Sequence, residues 1–231
     1  MNLQEISTLI GNRSIEDSLL ALADYFPSKV IFTTSFGIED QVITDIIFKN
    51  NIPIKVVTLD TGRMFESTYK VWSSTLKIYN KTIEPFFPDN KTVESLLREK
   101  GPFSFYQSVE NRKECCNIRK VEPLGRALEG MKIWITGIRA EQSPGRTGMM
   151  NLEEDGKNGI IKYHPIFDWT ISMVEDYLEK NHVPYNELHH KGYVSIGCEP
   201  CTRAVKPGED FRSGRWWWEQ SSAKECGLHA R

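Results

Sequence analysis

The sequence predicts an α/β fold built on a doubly wound, mostly parallel sheet. Three observations carry this reading. Short runs of β-branched and aromatic residues recur at Val30–Thr34, Ile54–Leu59, Lys132–Thr136 and Ile160–Ile166. Segments with helical spacing of apolar residues separate them, as a βαβ succession requires. The turns that follow the first and second runs are small and polar, Ser35-Phe36-Gly37 and Asp60-Thr61-Gly62. In a parallel sheet such turns lie at the carboxyl ends of strands, where ligands bind.

Taken in order, Ser14 caps a helix running to Phe26, with Asp17 three residues on, and Pro27 stops it. The strand Val30–Thr34 leads through Ser35-Phe36-Gly37 into a helix whose apolar face is Val42, Ile43, Ile46 and Ile47. Strand, tight turn and helix is the geometry that aims backbone N–H groups at an anion. It is equally the geometry of an ordinary strand-to-helix turn. The acids Glu39 and Asp40 suit the helix dipole but would repel a phosphate that they faced. The strand Ile54–Leu59 is followed by a helix from Glu66, an extended piece at Ile83–Pro88 and a helix over 92–100 that Gly101-Pro102 ends. A helix is expected from Glu122 to Leu128, then the strand Lys132–Thr136 and a polar loop from Gly137 to Arg146. The strand Ile160–Ile166 precedes a helix through Leu178, capped by Asp168 or Thr170. With no repeat or linker before residue 197, the expected division is a nucleotide-binding domain at 1–196 and a CxxC segment with a tail at 197–231.

Composition narrows the function. With 39% hydrophobic and 26% charged residues, the 231-residue chain has the balance of a globular protein with a real core. A net charge of −2 argues against bulk-charge binding of nucleic acid. No apolar run reaches the length of a membrane span, and the start Met-Asn-Leu-Gln-Glu-Ile does not read as a signal peptide. A cytoplasmic location is therefore expected. Neither GxxxxGK[ST] nor GxGxxG occurs, which removes the main support for a P-loop NTPase or a dinucleotide dehydrogenase.

The five cysteines are the most specific signal: Cys115-Cys116, Cys198-Glu-Pro-Cys201, and Cys226 near the end. In a reducing compartment such cysteines read as ligands or redox groups. Four thiolates suit a metal centre, for which zinc is the general expectation and iron–sulfur the alternative. Cys226, beside Gly227, is placed as a nucleophile, although a buried inert thiol is the plain reading. Arg139 and Arg146 on one constrained loop are candidates for an anion clamp, since guanidinium pairs bidentately with such oxygens. Arg119 and Lys120 put positive charge directly after the tandem cysteines.

Together, Ser35-Phe36-Gly37-Ile38-Glu39-Asp40, Leu59-Asp60-Thr61-Gly62-Arg63, the Cys-Cys segment, Gly137-Ile138-Arg139, Gly197-Cys198-Glu199-Pro200-Cys201-Thr202-Arg203 and Glu225-Cys226-Gly227-Leu228-His229 resemble the adenylyl-sulfate and phosphoadenylyl-sulfate reductases. The resemblance runs through nearly the whole chain in the same order. It implies the adenine-nucleotide α-hydrolase type of fold. It also implies the branch with a [4Fe–4S] cluster on Cys115, Cys116, Cys198 and Cys201, displacing zinc. By similarity Thr34, Ser35, Gly37, Leu59, Gly137, Arg139 and Arg146 bind the nucleotide, and Lys120, Arg212 and Arg215 the phosphosulfate. Two departures stand out: Ala140 where a second arginine commonly follows Arg139, and Glu66-Ser67-Thr68-Tyr69 where the family has Pro-Glu-Thr-Tyr.

The implied activity is reduction of adenosine 5′-phosphosulfate to sulfite and AMP through an S-sulfocysteine on Cys226, with thioredoxin or a glutaredoxin-like protein as reductant. A homo-oligomer is expected, with no nucleic-acid or membrane partner. The competing readings are a phosphoadenylyl-sulfate or dual-substrate reductase, an ATP-pyrophosphatase-type nucleotidyl transferase, and a zinc module.

Overall fold

The structure, a computed structural model, describes residues 3–142 and 149–219. The chain forms two compact units. The first comprises Met1–Thr58, Thr68–Glu84 and Gly130–Asn186, and the second Leu59–Ser67, Pro85–Glu129 and Glu187–Arg231.

The first unit is organised by the sheet. Strands β1 (Val30–Thr34), β2 (Lys55–Leu59), β3 (Glu84–Phe86), β4 (Ile133–Ile135), β5 (Leu152–Asp155) and β6 (Ile160–Tyr163) align in the order β3-β2-β1-β4-β6-β5. The pairs β1–β2, β1–β4 and β4–β6 are parallel, and β5 joins β6 antiparallel at the edge. This is the doubly wound sheet expected. The chain proceeds outward from β1 on one side and returns to its other side at β4, so the topological switch point lies between β1 and β4.

Five helices of the chain cover or extend this sheet: α1 (Leu3–Ile10), α2 (Ile15–Tyr25), α3 (Ile38–Lys49), α4 (Glu66–Tyr79) and α8 (Ile171–Asn181). Leu19, Leu22, Phe32, Val42, Ile43, Ile133, Ile135, Ile166 and Val174 are fully buried in one core. Central strands buried on both faces read as continuous apolar runs, which is why they are recognisable in sequence. Helix α3 is buried nearly all round, and its polar residues are consequently bonded. Gln41 Nε2 donates to Thr75 Oγ1 and to the Pro184 carbonyl, while Asp45 accepts from the hydroxyls of Tyr79 and Tyr177.

Thr170, not Asp168, caps α8, accepting from the Met173 N–H. Helix α1 and strand β5 go beyond the sequence expectation.

The second unit contains α5 (Asn90–Lys100) and a helix that changes character along its length. It starts as α6 (Val109–Cys116), passes through a π-helical turn (Asn117–Val121), and ends as α7 (Glu122–Leu128). Helix α5 matches the helix expected over 92–100, and of the second helix the sequence predicts only the α7 part. No helix among the described residues is long and apolar enough to cross a membrane.

Candidate active site

In the first unit, the loop after β1 is held in an unusual conformation. Phe36 has φ of 60°, in the left-handed region that a bulky side chain adopts only under constraint. The constraint is visible on both sides of it. Its ring is buried and stacked on Trp72 at 5.5 Å, and its N–H donates to Thr34 Oγ1 at 3.1 Å. Gly37 then begins α3 without a side-chain cap.

Ser35 is fixed from the helix. Its N–H and its hydroxyl both donate to Asp40 Oδ2, at 2.6 and 2.7 Å. Gly137, after β4, lies so close to Asp40 that a Cβ there would collide with the carboxylate. Burial pushes the Asp40 carboxyl up to about 6; the bonds from Ser35 and the nearby Gly137 backbone pull the other way, and the charge of Glu39 adds to the rise.

Arg139 is engaged by α3 and by the Trp169 backbone as well as by its own loop. Arg139, 1% exposed, donates from Nε and Nη2 to Glu39 Oε1 at 3.1 and 3.0 Å. Its Nη1 donates to Glu141 Oε2 at 2.9 Å and to the Trp169 carbonyl at 3.2 Å. Thus Glu39 and Asp40, the two acids of the first helical turn, hold the two loops rather than facing an anion. Behind Gly137, Thr136 Oγ1 bonds to Nδ1 of the fully buried His164 at 2.7 Å. Thr34, Ser35, Gly37, Gly137 and Arg139 therefore come together at the switch point. Ser143 and Arg146 lie outside the described residues.

In the second unit, the loop Asp60–Arg63 after β2 gathers the cysteine segments. Asp60 Oδ1 accepts from Gly62, whose φ is +68°, and so shapes the turn. Thr61 Oγ1 lies 3.3 Å from Cys198 Sγ, and the Thr61 carbonyl accepts from Arg119 Nη1 at 2.7 Å. The Arg63 carbonyl accepts the Glu199 N–H at 2.8 Å. Leu59 stands at the entry to this loop.

The four thiols share one small packed group. Cys201, Phe105 and Trp216 are its buried members, and Cys115, Cys116, Cys198 and Trp218 pack against them. Cys115 and Cys116 close α6, and the π-helical turn begins at the very next residue. Such a turn shifts helical phase locally and is frequent at functional sites. It carries buried Arg119 and half-buried Lys120. Burial pushes Cys201 up to about 12 and also raises Cys115. Arg215 and Lys120 oppose the rise at Cys201, and Arg119 and Arg63 oppose it at Cys115. Among the described residues, no three His, Cys, Asp or Glu form a ready single-ion site. The donor set itself, four thiols with four cations and no carboxylate among those named influences, fits a group whose ligation requires thiolates.

The segment after Cys201 is tied back to the same group. The Trp216 N–H donates to the Cys201 carbonyl at 3.1 Å, and Thr202 bridges to Arg215. Trp216, with φ of 42°, has two guanidiniums over its ring, Arg112 at 4.6 Å and Arg215 at 4.9 Å. Arg112 also pairs bidentately with Glu219, Nε to Oε1 at 2.9 Å and Nη2 to Oε2 at 2.8 Å. Gly197 must be glycine because the Arg215 guanidinium lies directly against its Cα. Arg212 is half-buried in the turn that leads to Arg215. Cys226 lies outside the described residues.

Asp40, Thr61, Arg112 and Glu219 are not singled out as site residues by the sequence, and Arg119 is marked only for its charge beside the tandem cysteines. The available signal was spacing: Arg112, Cys115, Cys116 and Arg119 follow the i, i+3, i+4, i+7 pattern of one helix face.

Residues 29–204 match the family model described as the phosphoadenosine phosphosulfate reductase domain. The adenosine 5′-phosphosulfate reductase of Sinorhizobium fredii is 46% identical over 210 residues, covering 91% of this chain and 84% of that protein. The crystal structure of a phosphoadenylyl-sulfate reductase from Candida auris, in complex with phosphate, superposes with a TM-score of 0.73 at 28% identity, covering 88% of this chain and 96% of that one. Yeast FAD synthetase, at 15% identity, shares only the fold, with a TM-score of 0.56 over 87% of this chain and 67% of that one. The chain belongs to the phosphoadenosine phosphosulfate reductase family.

Proposed function

We propose that the chain reduces adenosine 5′-phosphosulfate to sulfite and AMP. The observation that carries this is the gathering of all four non-terminal cysteines in one group, in a chain 46% identical to a protein named for that activity. A zinc module with no reaction to perform would not need the separate loop pair at the switch point. A nucleotidyl transferase would not need the thiols.

Thr34, Ser35, Gly37, Leu59 and Gly137 bind the nucleotide mainly through backbone groups, with Arg146 as a further cation. Arg139 acts by holding its loop, since its own donors are taken up by Glu39, Glu141 and the Trp169 carbonyl. Lys120, Arg212 and Arg215 offset the charge of the phosphosulfate as an anionic nucleophile approaches it. The Cys226 thiolate attacks the sulfate sulfur, an S–S bond forms, the S–O bond breaks, and AMP leaves with the electron pair. A dithiol protein of the thioredoxin or glutaredoxin type then attacks Cys226 Sγ and expels sulfite. Its second thiol resolves the mixed disulfide, returning Cys226 as thiolate and leaving the reductant as a disulfide.

Cys115, Cys116, Cys198 and Cys201 would hold a [4Fe–4S] cluster, which would supply a fixed local charge and tie four separate positions together. A reducing, cytoplasmic setting and a homo-oligomeric assembly complete the proposal.

The test is a mass measurement. Protein mixed with adenosine 5′-phosphosulfate and no reductant should gain one SO3 group, mapping to the peptide that contains Cys226. Reduced thioredoxin should remove it as sulfite, and Cys226→Ser should neither gain the label nor turn over. The label on another cysteine, or turnover by the serine variant, would show the nucleophile to be misassigned.

A further inference from the structure

We propose that Asp40 is a positioning residue for the nucleotide: its ionised carboxylate clips the loop after β1 to the loop after β4, and sulfonucleotide affinity depends on that clip. The proposal deepens the reading above and rests on it. One buried carboxylate takes both Ser35 donors, the N–H and the hydroxyl, on Oδ2 and packs its Oδ1 directly against the Gly137 backbone. The bonds belong to one loop and the packed contact to the other. The fit is close enough that Gly137 has no room for a Cβ against the carboxylate.

The same geometry explains how Phe36 persists at positive φ. Its neighbours are held from both directions, with the Phe36 ring anchored in the core and Ser35 anchored on α3. Remove the acceptor and the strained residue loses one of its two restraints.

Stability and binding should then respond to pH with opposite signs. The carboxyl is raised from 3.8 to about 6 in the folded chain, so the native state holds a proton that the unfolded state has released between those values. Fold stability from this group is therefore present at low pH and is lost as pH rises through about 6. The clip works the other way, since a carboxylate accepts the two Ser35 bonds better than a neutral acid does. Sulfonucleotide affinity should therefore fall as pH drops through about 6. A residue serving the fold alone would show the first trend without the second.

The charged and titratable groups around Asp40 are few. Glu39 is its neighbour on α3 and is itself paired with Arg139, which Glu141 also contacts. On the far side of Gly137, buried His164 bonds Thr136 and lies 3.6 Å from Glu153. A histidine ordinarily titrates in this same range, so the test must separate His164 from Asp40.

The experiment is calorimetric binding of adenosine 5′-phosphosulfate to the Cys226→Ser protein between about pH 5 and pH 8. This ligand is preferable to AMP, whose terminal phosphate itself titrates near 6. Expected is a loss of affinity approaching tenfold per pH unit below about 6. Adding Asp40→Asn should weaken binding about tenfold or more at neutral pH and flatten the profile, with the melting temperature unchanged or higher. Gly137→Ala, pressing on the carboxylate from the other loop, should weaken binding without flattening it. A flat profile with Asp40 present, or a pH dependence that survives Asp40→Asn, overturns the clip. Absence of sulfonucleotide binding in every protein at every pH overturns the functional reading itself, a different result from either.

Discussion

The two units of this chain reach stability by different physical means. In the first, an apolar core joins one face of the central strands, with Val30, Phe32, Ile133 and Ile135, to the inner faces of its helices, with residues such as Leu19, Phe32, Ile43 and Ile135 wholly buried. In the second, the buried apolar group around the cysteines is Phe105, Cys201 and Trp216. What surrounds them is a bidentate ion pair, two guanidiniums over one indole, and backbone bonds from Thr61, Arg63 and Trp216. The first unit folds by removing hydrocarbon from water. The second depends on specific pairings, so the loss of one partner should cost more there than its size suggests. Yet both place a buried aromatic at positive φ in the functional region, Phe36 in one and Trp216 in the other.

The largest effect that separates them should come from Cys198→Ser. Serine replaces a soft sulfur donor by a hard oxygen, which would weaken the proposed cluster, and takes the sulfur away from Thr61 Oγ1. Anaerobically purified protein should lose its iron and brown colour. Sulfite formation should fall by more than the roughly 10–100-fold that an outer-shell partner is worth. Hydrogen exchange should rise in α6 and the Asp60–Arg63 loop, while β1, β4 and α3 stay protected. Equal loss of protection in the central strands would break the comparison.

Next is the ion pair. Arg112 and Glu219 are 1% and 3% exposed at their side chains, so either one left alone is a buried, uncompensated charge. Arg112→Met should cost about 3–5 kcal/mol, measured by denaturant unfolding. Arg112→Met combined with Glu219→Met should recover most of it, because two apolar groups leave no charge behind. If the double variant is as unstable as the single one, the Trp216 stack rather than the pair holds this segment.

The same contrast decides what was legible in the sequence. Strands β1, β2, β4 and β6 declare themselves as β-branched runs because both of their faces are buried. Helix α6 does not, since its inward-facing residue is an arginine and apolar periodicity passes over it. The four cysteines are readable because their chemistry is rare. Their supports are not: Thr61 and Cys198 are 137 positions apart, and Arg112 and Glu219 are 107 apart. Arg139 shows the limit most clearly. Its loop and its charge suggest an anion clamp, but Glu39, 100 positions earlier, takes two of its donors. Asp40 was noticed for the wrong reason, as a repulsive charge rather than an acceptor. A helix-first-turn acid gives no sign in sequence of which way it turns.

The smallest effect tests the apolar unit at its edge. Ser14 caps α2: its hydroxyl oxygen accepts the Asp17 N–H at 3.0 Å, and the hydroxyl donates to Asp17 Oδ2 at 2.8 Å. Both bonds are exposed, and neither touches the loops at the switch point. The helix is held mainly by burial of Leu19, Leu22 and Ala23, so losing the cap should fray its first turn without releasing its packed face. Ser14→Ala should therefore cost about 1 kcal/mol, seen as a fall in melting temperature of about 2–4 °C for a domain of this size. Turnover should be unchanged. A loss several times larger would mean that α2 is nucleated by its cap rather than carried by its core contacts, and that the first unit, too, relies on single polar pairings.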